Sequence, residues 1–95
     1  MLTLIIYDIQ ETKNRNDLIK KLRHYGLNRI QRSVFSGYLE QEKREKIKHE
    51  IKDNILSEKD SILQIEICKN CKEHITQLGN NEIPRNEEKE YEVLI

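Results

Sequence analysis

Three groups of residues in this chain have types and spacings that can do chemistry. Asp8 closes the apolar run Leu2 to Gln10, LTLIIYDIQ. In strand geometry Leu4, Ile6 and Asp8 share one face while Ile5, Tyr7 and Ile9 share the other, so the carboxylate emerges at the C-terminal rim of a buried strand. A rim is a place for chemistry, although an aspartate there can equally start a turn or cap the next helix. The second group is basic: Lys13, Arg15, Lys20, Lys21, Arg23, Arg29 and Arg32 can present a surface to phosphates, or can simply be solvated charge. The third is Cys68 and Cys71, which with His74 spell C-x2-C-x2-H. A closed zinc site needs four ligands, and His24 and His49 fall on helices with no clear way to supply one. A redox pair needs a depressed thiol pKa at a helix N-terminus, and the remaining reading is a pair of small semi-buried thiols where a strand meets a helix.

The formal net charge of zero hides an asymmetry. Residues 1 to 48 hold eleven Lys/Arg against six Asp/Glu and residues 49 to 95 hold six against eleven, giving halves of +5 and −5. The basic half contains Asp8, yet no domain-wide basic excess demands nucleic acid.

These groups need elements to position them. Thr12 and Asn14 are good N-caps, and Leu18, Ile19, Leu22 and Tyr25 follow at helical spacing, which predicts a helix over about Lys13 to Tyr25 that stops at Gly26. Leu27 to Phe35 is β-like, with Ile30 and Val34 on one face and Arg29, Gln31, Ser33 and Phe35 on the other. Ser36-Gly37 reads as a tight turn, with Tyr38-Leu39 beginning the returning strand. Ile47, Ile51 and Ile55 stripe a second helix over about Gln41 to Leu56, and Ser61 to Ile67 alternates as a fourth strand. A short helical segment is expected from Cys68 to Leu78, ending at Gly79. Residues 80–90 form a charged linker and 91–95 a last apolar pentapeptide.

Strand, helix, hairpin, helix, strand is an α+β, ferredoxin-like βαββαβ arrangement, with helices on one sheet face. Residues 1–79 make that domain, and residues 80–95 a linker and extra strand expected to complete a dimer sheet. Ninety-five residues bury a modest core, and the second apolar sheet face must meet something, for which another copy of the chain is the simplest candidate. Met1 runs straight into the strand with no basic leader, and no run approaches transmembrane length, so a cytoplasmic location without membrane attachment is expected.

The residues also carry a specific resemblance. Tyr7-Asp8-Ile9 ending the first strand, Arg15 opening the first helix, Tyr25-Gly26-Leu27, then Arg29-Ile30-Gln31 with Ser33-Val34-Phe35 and Gly37, resemble the CRISPR-associated protein two family, the small adaptation subunit, over nearly the whole chain. The resemblance implies a homodimer whose two first-strand aspartates face each other. It implies a magnesium-dependent, or manganese-dependent, endonuclease acting on RNA or double-stranded DNA, and an adaptor between dimers of the integrase, CRISPR-associated protein one, during spacer acquisition. By this likeness Asp8 is the catalytic residue and metal ligand, Arg15, Arg29 and Arg32 bind nucleic acid, and Ser33 and Phe35 contact the interface or substrate, Phe35 having core as its other reading. Asp17 departs from the pattern where a second basic residue is common, and Arg32 where an aromatic is common. Mg²⁺ prefers carboxylate oxygen and both activates water and polarises a phosphoryl group, but one rim carboxylate per chain is a sparse ligand set unless phosphate oxygens complete it. Two other readings stand beside this one: a non-catalytic nucleic-acid scaffold, and a small ribonuclease toxin of similar fold.

Overall fold

In the computed structural model, which describes residues 1–54 and 57–79, the apolar run Leu2–Asp8 forms β1, an interior strand of a four-stranded sheet. The chain continues as α1 (Thr12–His24), β2 (Asn28–Gln31), β3 (Val34–Tyr38), α2 (Gln41–Asn54), β4 (Ser61–Ile67) and a single-turn α3 (Lys69–Lys72). The sheet order is β2-β3-β1-β4 with every neighbouring pair antiparallel. That is the expected ferredoxin-like α+β fold.

Alternation along β1 sorts the two sheet faces as the sequence requires. Ile5, Tyr7 and Ile9 pack with Phe35 of β3, Leu18 and Leu22 of α1, and Ile47 and Ile51 of α2, all buried, so both helices lie on this face. The other face carries Leu2, Leu4, Ile30, Val34, Tyr38 and Ile67, joined by Ile75 from beyond α3. Register aligns Leu4 with Ile65 and Ile6 with Leu63, so these four side chains share with Asp8 the face opposite α1 and α2. Leu63 and Ile65 are 56% and 40% exposed there.

Helix α1 ends in a Schellman motif. Gly26, at φ 90°, donates to the Arg23 carbonyl at 2.9 Å, and Leu27 donates to the Leu22 carbonyl at 3.1 Å. The start differs from expectation: Glu11 is the N-cap and makes no side-chain capping bond. Thr12 is the first residue of the helix, and its hydroxyl accepts from Arg15 instead of capping.

The hairpin is where sequence and structure part. The turn falls at Arg32-Ser33, not at Ser36-Gly37, and Val34 to Tyr38 is one continuous strand. Gly37 is needed for packing instead: a Cβ at that position would sit 2.5 Å from Leu27 Cδ2. A bulge between Arg29 and Gln31 pairs Gln31 with Val34, which takes Gln31 off the face that Arg29 shares with Phe35. Helix α3 is also shorter than expected, four residues followed by turns. Ile55 and the C-terminal linker and strand over 80–95 lie outside the described residues. No helix among the described residues is long and apolar enough to cross a membrane.

Candidate functional site

Antiparallel pairing sets Asp8 opposite Ser61, at the last rung of the β1–β4 ladder, so its carboxylate leaves the sheet where the apolar strand ends. It is exposed, and its Oδ1 accepts a hydrogen bond from Gln10 Nε2 at 3.3 Å. Beside it opens a cleft of about 470 Å³ lined by Tyr7, Asp8, Ile9, Arg15, Arg29, Arg32 and Ser33. The fold therefore brings Asp8 together with all three arginines singled out in the sequence. Three guanidiniums against one carboxylate leave the cleft with a formal charge of +2, which suits a phosphodiester.

Each arginine is held differently. Arg15 donates from Nη1 to the Ile9 carbonyl at 2.8 Å and from Nη2 to the Thr12 hydroxyl at 3.1 Å, strapping the β1–α1 connection directly after Asp8. Much of its donor capacity is used in that strap. Arg29 reaches across from β2, where Nη2 donates to Tyr7 Oη at 3.4 Å and the guanidinium lies 5.6 Å from the Phe35 ring centre. Arg32 stands on the hairpin turn, exposed, with no side-chain partner among the described residues. It is the arginine most available to a ligand.

Tyr7 is the link that sequence reading undervalued. Its ring is buried on the helix face, as expected, but its hydroxyl accepts from Arg29 and donates to the Arg32 carbonyl at 3.2 Å, while its backbone N–H donates to the Ser33 carbonyl at 3.0 Å. One side chain thus sets the hairpin turn against β1. The hint was its place beside Asp8 at a rim, where a phenol can be apolar below and polar above. A second missed residue is Asp60, whose Oδ1 accepts from the Gln10 N–H at 3.1 Å and whose Oδ2 accepts from the Ser57 hydroxyl at 2.9 Å. These bonds, the Gln10 N–H foremost, hold its carboxyl below the usual carboxylate range.

Phe35 is fully buried, its ring beside that of Tyr7 and within reach of the Arg23 and Arg29 guanidiniums, so in the single chain it is a core residue. Ser33, by contrast, is half-buried and lines the cleft. The wider basic surface also divides. Lys13 pairs with Asp17 at 3.4 Å and Lys21 with Glu50 at 3.3 Å, away from the cleft. Cys68 and Cys71 are both exposed free thiols, not semi-buried ones.

The donor set limits what metal can bind. No three His, Cys, Asp or Glu side chains converge among the described residues, and Glu11 and Asp17, close to Asp8 in sequence, do not line the cleft. A hard cation fits Asp8 only when other oxygens, from phosphate, water or a second carboxylate, complete its shell.

The class of protein is thus a small ferredoxin-like domain whose first strand ends in a carboxylate beside a cleft lined by three guanidiniums. The chain belongs to the CRISPR associated protein Cas2 family, whose family model matches residues 1–75. It is 38% identical over 82 residues to a CRISPR-associated endoribonuclease Cas2 of Methanospirillum hungatei, covering 86% of this chain and 85% of that protein. It is 32% identical over 94 residues to a CRISPR-associated endoribonuclease Cas2 of Archaeoglobus fulgidus, covering 99% of this chain and all of that one. The crystal structure of Streptococcus pyogenes Cas2 superposes with a TM-score of 0.69 at 30% identity, over 83% of this chain and the whole of the other.

Proposed function

We propose that this chain is a divalent-metal-dependent endonuclease that cuts phosphodiester bonds in RNA or double-stranded DNA, and that it works as a homodimer in CRISPR spacer acquisition, as an adaptor for the integrase. The observation that carries this reading is the exposed Asp8 carboxylate in a cleft walled by Arg15, Arg29 and Arg32. Relatives covering nearly the whole chain bear the name endoribonuclease.

Within the cleft the chain's own groups have separable tasks. Arg32 and Arg29 receive the phosphate: a free guanidinium on the turn makes the first contact, and one held by Tyr7 fixes its orientation. Arg15 keeps the backbone after Asp8 in place. Asp8 supplies the hard oxygen ligand for Mg²⁺ or Mn²⁺. When bound, such an ion lowers the pKa of its water and polarises the phosphoryl oxygen. Two copies meeting through the face opposite α1 and α2, where Leu4, Ile6, Leu63 and Ile65 line up with Asp8, would contribute two carboxylates instead of one. That second copy also answers the sparse ligand set.

A scaffold reading draws on one specific observation, the single carboxylate per cleft. Holding a duplex and integrase subunits needs the guanidiniums and the dimer but not Asp8.

The deciding experiment is cleavage of labelled RNA and duplex DNA by wild type and Asp8→Ala, with Mg²⁺ and with a chelator, after both are shown to be dimers. Loss of cleavage with either the mutation or the chelator supports the metal-dependent nuclease. Equal cleavage by both proteins, or by neither while both still bind duplex, favours the scaffold.

A further inference from the structure

At the opposite end of the sheet from the cleft, β4 leaves Ile67, the register partner of Leu2, and enters Cys68. Cys68 is the N-cap of α3, and its Sγ accepts a hydrogen bond from the Cys71 backbone N–H at 3.4 Å. An N-cap side chain reaches the third residue of the helix by the same geometry that makes a capping box, so the Cys-x-x-Cys spacing seats the Cys68 sulfur on the Cys71 backbone and within hydrogen-bonding reach of its thiol. The turn that holds them is anchored. The Lys72 N–H donates to the Cys68 carbonyl at 2.9 Å, and Lys72, only 8% exposed, donates from Nζ to Tyr38 Oη at 2.7 Å. Both thiols are nevertheless exposed and free. With only two thiols and no third metal-ligating group converging on them among the described residues, the pair does not make a closed metal site.

We propose that Cys68 and Cys71 form a redox-active dithiol, in which Cys68 attacks a small disulfide and Cys71 closes an intramolecular bond.

Hydrogen bonds sort the two roles. The Cys71 N–H and then the Cys71 thiol both favour the Cys68 thiolate and hold its pKa below the usual thiol value, while donation to Cys68 pushes the Cys71 thiol up. The thiolate is the attacking form. In the first step the Cys68 thiolate attacks one sulfur of a low-molecular-weight disulfide, forming a mixed disulfide and releasing one thiolate. In the second, Cys71 loses its proton and attacks the Cys68 sulfur, expelling the second small thiol. Two protein thiols are oxidised to one disulfide, and one small disulfide is reduced to two thiols. The site is separate from the cleft, so its chemistry does not depend on the nuclease reading.

The test treats the full-length, fully reduced protein with oxidised glutathione, blocks remaining thiols by alkylation, and reads the intact mass and a non-reducing gel. The expected product is a single chain with neither thiol alkylated, no retained glutathione, and the loss of two hydrogens. Cys71→Ser should accumulate a glutathione adduct on Cys68, several-fold faster than Cys68→Ser accumulates one on Cys71. Circular dichroism establishes that both variants are folded. The proposal is overturned if wild type keeps both thiols free, retains glutathione without closing, or links two chains. Equal adduct rates in the two folded variants overturn the assignment of Cys68 as the attacking thiol.

Discussion

The two faces of the sheet start from the same alternation of apolar residues and end in different states. On the helix face Ile5, Tyr7 and Phe35 are closed over by Leu18, Leu22, Ile47 and Ile51, and among the described residues no large apolar side chain of this cluster is exposed. On the opposite face Leu63 and Ile65 stay open to solvent although they sit in register with Ile6 and Leu4. Period-two patterning fixes which residues share a face but says nothing about what covers it. The helix face is closed by the chain's own helices. The open face keeps apolar side chains that the described residues do not cover, and Asp8 belongs to that face.

The sharpest way to break this contrast is to empty the closed face. Phe35→Ala removes the fully buried ring beside Tyr7 and two arginine guanidiniums and should cost about 3–5 kcal/mol in urea unfolding. A cost near zero would mean that Phe35 is not core. On the open face, Leu63→Glu with Ile65→Glu should act on association instead. Burial of such a side chain is worth about 1.5–3 kcal/mol, so the proposed dimer should weaken strongly in sedimentation while the helical circular dichroism spectrum of the monomer is kept. A double variant that stays dimeric at low micromolar concentration would place the dimer contact elsewhere. Gly37→Ala tests the packing of the closed face more gently. The added methyl meets Leu27 and should cost about 1–3 kcal/mol, whereas a glycine required only by a turn would show itself at a positive φ, which Gly37 lacks.

How much of this was legible in the sequence follows the same division. The strand Leu2–Asp8 and the strand Ser61–Ile67 were readable because alternation or a bounded apolar run specifies them locally. The grouping of Asp8 with Arg15, Arg29 and Arg32 was legible only through family likeness, since three separate elements must converge to make it. The hairpin misled because Ser36-Gly37 has turn chemistry while Arg32-Ser33 does not. The turn is held there by long-range bonds from Tyr7, and the glycine answers to Leu27, neither of which a local pattern can report. Phe35 pairs with Arg29 and shares its face as the alternation predicts, but that α1 and α2 close over it there is set by tertiary packing, which a local pattern cannot report.

The smallest expected effect concerns the rim where the two faces meet. Asp60 ties the loop before β4 to Gln10, two residues beyond Asp8, through bonds to the Gln10 N–H and to the Ser57 hydroxyl and N–H. Because these bonds favour the carboxylate, its pKa in the fold lies below its unfolded value. Its stabilising contribution is therefore complete above the ordinary aspartate range and is lost as pH falls through the lowered folded value. Asp60→Asn removes the charge and should flatten that acid limb of the stability profile, with a modest loss at neutral pH and little difference from wild type once the acid is protonated. Urea unfolding of both proteins across the acid range checks it. The comparison also separates the faces: the staple belongs to the rim and not to either apolar layer, so urea m-values should match between the two proteins. A variant that lost stability equally at every pH would show that Asp60 acts through loop shape alone, and the rim around Asp8 would then owe nothing to its charge.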